Sequence, residues 1–214
     1  MRATAAFLAT FLIPALAWAH PHIWISQTVT PIVSGGNFTG VEIEWRFDPE
    51  SSEDEIPAID ENHDGKLSAE EIRLLAADTM PKLQKDGFLT WLNTGGKDFR
   101  PPKAEGFNAR IADPATFTPP DWDRHAGDKD APAEPRAAPK PSRARNLVYV
   151  MRFMLPQPAK SFSITTIDTE DFIRIEVDKA RVPAGCKLAK HPTYKSEFVP
   201  GHPVFADRVS CQLP

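Results

Sequence analysis

A twelve-residue acidic segment, DENHDGKLSAEE at 60–71, constrains this chain more than any other feature. It matches the EF-hand calcium-loop pattern D-x-[DN]-x-[DN]-G-x5-E at every fixed position. Calcium prefers six to eight oxygen ligands, which a tight loop supplies from alternating residues. The pattern therefore predicts a calcium site whose ligands are Asp60, Asn62, Asp64, the Lys66 carbonyl, Ser68 and Glu71.

Part of this segment has a second interpretation. Ser68 and Glu71 have the S-x-x-E spacing of a capping box, which would only open the helix that follows. The capping box leaves Asp60, Asp64 and Gly65 unexplained. A glycine is what an EF-hand needs at the sharp turn where Gly65 stands. The calcium loop therefore accounts for more of the sequence than the capping box does.

The segment that enters the loop, residues 48–59, departs from an ordinary EF-hand. Pro57 interrupts it, and proline inside a helix removes a backbone hydrogen bond. Ile56 and Ile59 are its only aliphatic anchors. We therefore expect no regular first helix and a weak structural site, with a dissociation constant on the order of 10⁻⁴–10⁻³ M.

The amino-terminal segment has the pattern of an export signal. Arg2 is the only charge in residues 1–19, and residues 5–19 are almost wholly apolar. The run is too short for a membrane span, which needs about 20 residues. Ala17-Trp18-Ala19 is an A-x-A cleavage site. We predict a mature periplasmic domain of residues 20–214, not inserted in the membrane after signal cleavage.

Cysteine usage fits export. Cys186 and Cys211 are the only cysteines, and an oxidising compartment is expected to join them. The competing interpretation is a thiol metal site or a reactive cysteine, but the two residues lack C-x-x-C spacing.

Alternating apolar residues predict a mainly β fold. Two such runs flank a turn at 34–37 and predict a hairpin with one buried face, formed by Ile23, Ile25, Val29, Val33, Val41, Ile43, Trp45 and Phe47. We expect a helix at 69–83, a turn at 93–96 and strands at 88–92, 147–155, 162–167, 172–177 and 204–213. The strand at 147–155 is apolar on nearly both faces and is expected to be central in its sheet.

These elements predict one α+β domain that is mainly β, an antiparallel sheet or sandwich. The EF-hand element at 48–84 is expected as an insertion between strands of one sheet. Residues 112–145 contain seven prolines and almost no aliphatic residues, and we predict an exposed or disordered segment there.

The predicted mature amino terminus is a candidate transition-metal site. In HPHIWI at 20–25, His20 and His22 share one face of a strand, and the free amine of His20 would add a third nitrogen. Such ligands suit Zn²⁺, Ni²⁺, Co²⁺ or Cu²⁺ rather than calcium. The alternative is that both histidines are ordinary polar residues of a fraying strand. His191 and His202 precede prolines in expected loops, and either could complete a metal shell or be incidental.

Several blocks resemble a known bacterial family. They are HPHIWI at 20–25, WRFD at 45–48, the loop at 60–71, RF at 152–153 and IDTEDFI at 167–173. They resemble domain of unknown function 1007, labelled as the periplasmic component of an uncharacterised ABC-type transport system. The resemblance implies a periplasmic protein associated with nickel, cobalt or zinc transport, and no established activity. The segment ESSEDEIPAI departs from the aromatic-rich segment usual there.

Composition and motifs narrow the function classes. The formal net charge is −4 with no basic patch, which argues against nucleic acid as a partner. The sequence has no G-x-S-x-G, P-loop or H-E-x-x-H motif, so we predict that it is not an enzyme. The favoured function is a periplasmic accessory or solute-binding protein of an inner-membrane metal transporter. A calcium-stabilised interaction module is the alternative, and a copper histidine-brace redox protein at His20 is a weaker one.

Overall fold

The computed structural model describes residues 23–113, 117, 145–170, 172–199 and 202–214, without the side chains of residues 198, 199 and 202. Two helices are present, Pro49–Ile59 (α1) and Ala69–Lys85 (α2). The strands are Ile23–Ser34 (β1), Asn37–Phe47 (β2), Thr90–Thr94 (β3), Lys97–Phe99 (β4), Gly106–Ala112 (β5), Asn146–Ala159 (β6), Ser161–Thr166 (β7), Ile173–Val177 (β8), Cys186–Val199 (β9) and His202–Gln212 (β10). No helix in these ranges is long and apolar enough to cross a membrane.

The strands form two five-stranded sheets that enclose one core. Sheet A has the order β5-β6-β2-β1-β8, and sheet B has the order β4-β3-β7-β10-β9. Ring contacts join the two sheets, with Phe38 against Phe162 at 4.9 Å between centroids. Trp45 is buried at the centre, and its indole nitrogen donates to Gln27 Oε1 at 2.8 Å. The predicted mainly β α+β fold is confirmed, as a sandwich.

The period-two pattern of the first hairpin explains most of the inward face. Ile25, Val29, Val41 and Ile43 are buried, and the turn falls between Ser34 and Asn37 as predicted. The expectation for Val33 is wrong, because its side chain is 51 % exposed. The strand register shifts between Ile32 and Val33, and a one-residue slip moves a side chain to the other face of a sheet.

The helices connect the two sheets. The chain leaves β2 of sheet A, passes through α1 and α2, and enters β3 of sheet B. The expectation that this element lies between strands of one sheet is therefore wrong. The absence of a regular first helix is also wrong, since α1 has 11 residues and contains Pro57 near its end. Proline there removes only one late hydrogen bond, and the Asp60 N–H still bonds the Ile56 carbonyl at 2.9 Å.

Three strand expectations need correction. The strand predicted at 88–92 begins at Thr90, because Phe88 and Leu89 take left-handed backbone angles in a 3-10 turn. Strands β5 and β9 were not predicted, and Ala112, expected to open the proline-rich segment, ends β5. Strand β6 is hydrogen-bonded on both sides, by β5 and β2, as its apolar faces indicated. The remainder of 112–145, apart from residues 113, 117 and 145, lies outside the described residues.

Candidate metal centre

The predicted calcium loop connects α1 and α2, and each of these helices begins at a capping side chain. Asp48 opens α1, where its carboxylate accepts from the Ser51 N–H at 2.9 Å. Ser68 opens α2, where its hydroxyl accepts from the Glu71 N–H at 3.3 Å. Side-chain acceptors at these positions satisfy N–H groups that a helix start leaves free. The sequence therefore determines where each helix begins, and the nine residues between them form a compact turn.

Asp60 organises the first half of this turn. Its side chain is buried, and one carboxylate oxygen accepts from the Gly65 N–H at 2.9 Å while the other accepts from the Asp64 N–H at 3.2 Å. Asn62 Oδ1 also accepts from the Asp64 N–H, at 2.9 Å. Gly65 has a φ of +79°, a left-handed conformation that glycine adopts without steric cost. The loop thus wraps its backbone amides around the first predicted ligand.

Glu71 closes the second half. Its Oε1 accepts from the Glu61 N–H at 2.9 Å, and its Oε2 accepts from the Ser68 N–H at 2.7 Å. Hydrogen bonds from Ser68 hold the pKa of Glu71 below its usual value. The predicted capping box is present. Because the same carboxylate also spans back to Glu61 at the start of the loop, the capping box and the loop pattern are parts of one arrangement.

The donor chemistry fits a hard cation, but the carboxylates are not gathered. Among the described residues, no group of three or more His, Cys, Asp or Glu side chains is placed to hold a metal ion. Asp64 Oδ1 instead accepts from the Lys66 N–H at 2.8 Å, and Asn62 Nδ2 donates to Asp64 Oδ2 at 3.4 Å. Asp64 and Asn62 are exposed and hydrogen-bonded within the loop. The predicted acidic ligands therefore share one loop without forming a three-carboxylate group in this structure.

A family model described as "Protein of unknown function (DUF1007)" matches residues 5–199. The chain belongs to the DUF1007 family. No curated protein and no solved structure matches it.

The other predicted ligands of this DUF1007 protein lie elsewhere. His20 and His22 are outside the described residues, as is the side chain of His202. His191 lies in β9 rather than in a loop and is buried. Its Nδ1 accepts from the Tyr194 N–H at 2.9 Å, and the two rings stack at 4.1 Å. Burial is the main cause of the lowered pKa of His191, and Arg208 lowers it further. The bond from Tyr194 engages the Nδ1 atom within the fold.

The disulfide between Cys186 and Cys211 is present and joins β9 to β10. The two cysteines face each other in the strand register, which explains why they pair. None of the described cysteines is free.

Two charged clusters of the DUF1007 protein were not singled out from sequence. On the outer face of sheet A, Glu44 pairs with three arginines, Arg46 at 2.6 Å, Arg110 at 2.5 Å and Arg181 at 3.2 Å. On sheet B, the Tyr194 hydroxyl donates to Asp98 at 3.1 Å. Apart from Arg46, which lies on β2 with Glu44, their members are distant in sequence, and only the tertiary fold brings them together. The alternation of polar residues in β2 was the one sequence feature that could have indicated the cluster around Glu44.

Proposed function

We propose that this chain is a periplasmic accessory or solute-binding protein whose fold is stabilised by a calcium ion in the loop at 60–71. The main support for calcium binding is the position of Asp60 and Glu71 in the loop. Two buried carboxylates, from opposite ends of the loop, hold its backbone amides and lie where the pattern puts ligands 1 and 12.

Calcium would add charge neutralisation to this arrangement. The described chain between Asp48 and Asp64 carries acidic residues and no lysine or arginine, and like charges at short range repel. A dication bound by the side chains of Asp60, Asn62 and Asp64, the Lys66 carbonyl, Ser68 and Glu71 would relieve this repulsion. Since the loop joins the two sheets, its ordering stabilises the connection between the halves of the sandwich.

Glu71→Gln separates calcium binding from helix capping. Glutamine keeps the capping-box pattern through its one amide oxygen, but it removes the charge and one of the two backbone bonds that the Glu71 carboxylate accepts, from Glu61 and Ser68. We expect calcium to raise the melting temperature of the wild type and to have little effect on Glu71→Gln. Glu70→Gln is the matched control, because Glu70 is exposed and pairs only with Arg73. The calcium proposal fails if the wild type does not respond to calcium, or if Glu71→Gln responds equally.

We further propose that His20 and His22 bind a transition metal (zinc, nickel, cobalt or copper) for an inner-membrane transporter. The support is that β1 begins at Ile23, directly after HPH, and pairs there with Ile173. Imidazole nitrogens and a terminal amine suit these metals.

Elemental mass spectrometry of exported, processed protein tests this second part. We expect a transition metal that is retained in Asp60→Ala and lost in the double variant His20→Ala, His22→Ala. His125→Ala controls for loss of a histidine outside the motif. Equal transition-metal content in the double variant and the wild type would remove the transport role and leave a calcium-stabilised interaction module.

A further inference from the structure

The outer face of sheet B carries a polar row that crosses all five strands. In the strand register Asp98 faces Asn93, Asn93 faces Ser163, Ser163 faces Ser210, and Ser210 faces Lys187. Neighbours along these strands, such as Leu92, Ile164 and Val209, point to the core instead. The row therefore lies on the face opposite the core.

Small residues make this face concave. Serine occupies the central strands where a sheet usually carries β-branched or aromatic side chains. Gly95 and Gly96 form the turn at one rim, and a side chain at either would meet no atom within 4 Å. The result is a groove of about 290 Å³. This volume is near the lower limit of small-molecule sites, which begin at about 300 Å³.

The groove is positively charged. Its lining includes Lys187 and Arg208 and no carboxylate. Neither cation forms an ion pair with a carboxylate in the described part of the chain, whereas Arg46, Arg110 and Arg152 each do. Two cations and no carboxylate in the lining give the groove a local positive potential in a protein that is acidic overall, and Arg208 also interacts electrostatically with Asp98 outside the lining.

Arg208 is oriented toward a ligand by the sheet. Its Nε donates to Ser163 Oγ at 3.0 Å, and Ser163 is itself buried. This bond fixes the plane of the guanidinium group and leaves the terminal N–H groups for another acceptor. Planar, paired donors of this kind match the two oxygens of a carboxylate or phosphate.

Asp98 is an opposing charge that lies beyond Asn93 and interacts electrostatically with Arg208. Its carboxylate already accepts from Asn93 Nδ2 at 2.5 Å and from the Tyr194 hydroxyl at 3.1 Å. The hydrogen bond from Asn93 is the main reason that the pKa of Asp98 is lowered. Asp98 thus lies at one end of the row and Lys187 at the other, and Arg208 lies between them against Ser163.

We propose that this groove binds a small solute through a carboxylate or phosphate group. Arg208 would make the paired contact, Lys187 would add a second positive charge at the rim, and the hydroxyls of Ser161, Ser163 and Ser210 would complete the hydrogen bonding. The site is on the sheet B face and is independent of the calcium loop and of the amino-terminal histidines.

Calorimetric titration with inorganic phosphate, sulfate and citrate, at constant ionic strength set with chloride, tests the proposal. Constant ionic strength is needed because salt screens exposed charges. We expect the wild type to bind phosphate or citrate. Arg208→Gln should weaken binding at least tenfold, and Lys187→Gln severalfold. Arg73→Gln and Lys82→Gln, both exposed cations on α2, are the matched controls and should bind as the wild type does.

The proposal is overturned if none of the three anions binds, or if the two control variants lose as much affinity as the groove variants. Arg208 is half-buried, so Arg208→Gln also requires a melting curve. If that variant does not fold, Lys187→Glu decides the question, since Lys187 is exposed and charge reversal there should abolish binding. Titration of Glu71→Gln distinguishes the two sites, because loss of calcium binding should leave anion binding intact.

Discussion

The Arg145 guanidinium donates to the carbonyl oxygen of Gly65 at 2.6 Å, which joins the start of β6 to the middle of the calcium loop. The next two residues of the strand continue this attachment. Asn146 Nδ2 donates to the Phe47 carbonyl at 2.6 Å, and the Leu147 N–H donates to Ser52 Oγ at 2.9 Å. Arg145 and Leu147 therefore attach the loop and α1 to the start of β6, and Asn146 between them bonds the end of β2.

Gly65→Ala should destabilise the protein by about 1–2 kcal/mol. The φ of +79° disfavours any side chain, and an added Cβ would lie 1.9 Å from Arg145 Nη1 and displace it. Chemical denaturation in the presence of a calcium chelator measures the loss without ligand effects. Gly106→Ala is the control, because a Cβ there meets no atom within 4 Å. Equal stability of the two variants would contradict this prediction.

Arg145→Gln should raise the calcium affinity of the loop severalfold. Arg145 places a positive charge against the loop, and an exposed charge at this range opposes a bound cation by about 1 kcal/mol or less. Calorimetric titration with calcium at low ionic strength provides the comparison, and added salt should reduce the difference. Arg152→Gln, which removes a cation paired with Glu42 on sheet A, should leave the affinity unchanged.

Tyr149 should make stability fall at alkaline pH. Burial raises its pKa to about 12 from an ordinary 10. The folded state holds the phenol proton of Tyr149 more tightly than the unfolded state does. The resulting contribution to the unfolding free energy is complete below pH 10 and is lost as the pH rises toward 12. Two pH units correspond to an upper bound of about 3 kcal/mol.

Tyr149→Phe should therefore flatten the decline in unfolding free energy between pH 10 and 12. Tyr194→Phe is the comparison: burial and the bond to Asp98 also raise the pKa of Tyr194, but this residue is half-exposed, so its replacement should flatten the decline less. An identical slope for Tyr149→Phe and the wild type would contradict the assignment.

Replacing both cysteines by alanine should lower the unfolding free energy by roughly 3 kcal/mol in the chain-entropy model. The disulfide closes a segment with a sequence separation of 25 and ties β9 to the end of β10. Urea denaturation of the variant gives the loss directly. Reduction of the wild type under native conditions is the parallel measurement, and the two values should agree.

Local patterns predicted the parts of the fold that depend on nearest neighbours. Two examples are the SGGN turn and the start of α2 at Ser68, which depend on residues only a few positions apart. The cysteine pairing was predictable for another reason, because each cysteine has only one possible partner in the sequence. The helix α1 was missed because Pro57 was given more weight than the Asp48 cap and the proline at the first helical position, which favour a helix.

Relationships between distant strands could not be predicted in the same way. Val33 is exposed because of a register shift that involves its partner strand, and no property of Val33 signals it. The groove on sheet B needs Asn93, Ser163 and Lys187 in one row, which depends on the strand order. Within the calcium loop the sequence identified which residues come together, but not how their carboxylates are oriented in this conformation.

The parallel pairing of β1 with β8 has a kinetic consequence. Ile23 pairs with Ile173. The outer edge of β1 therefore stays unpaired during folding until a strand about 150 residues later in the chain has docked. Pairings of such long sequence separation form slowly, and an unpaired strand edge is prone to join other chains in the meantime. Until β8 is in place, the outer edge of β1 is an unpaired strand edge that is open to aggregation.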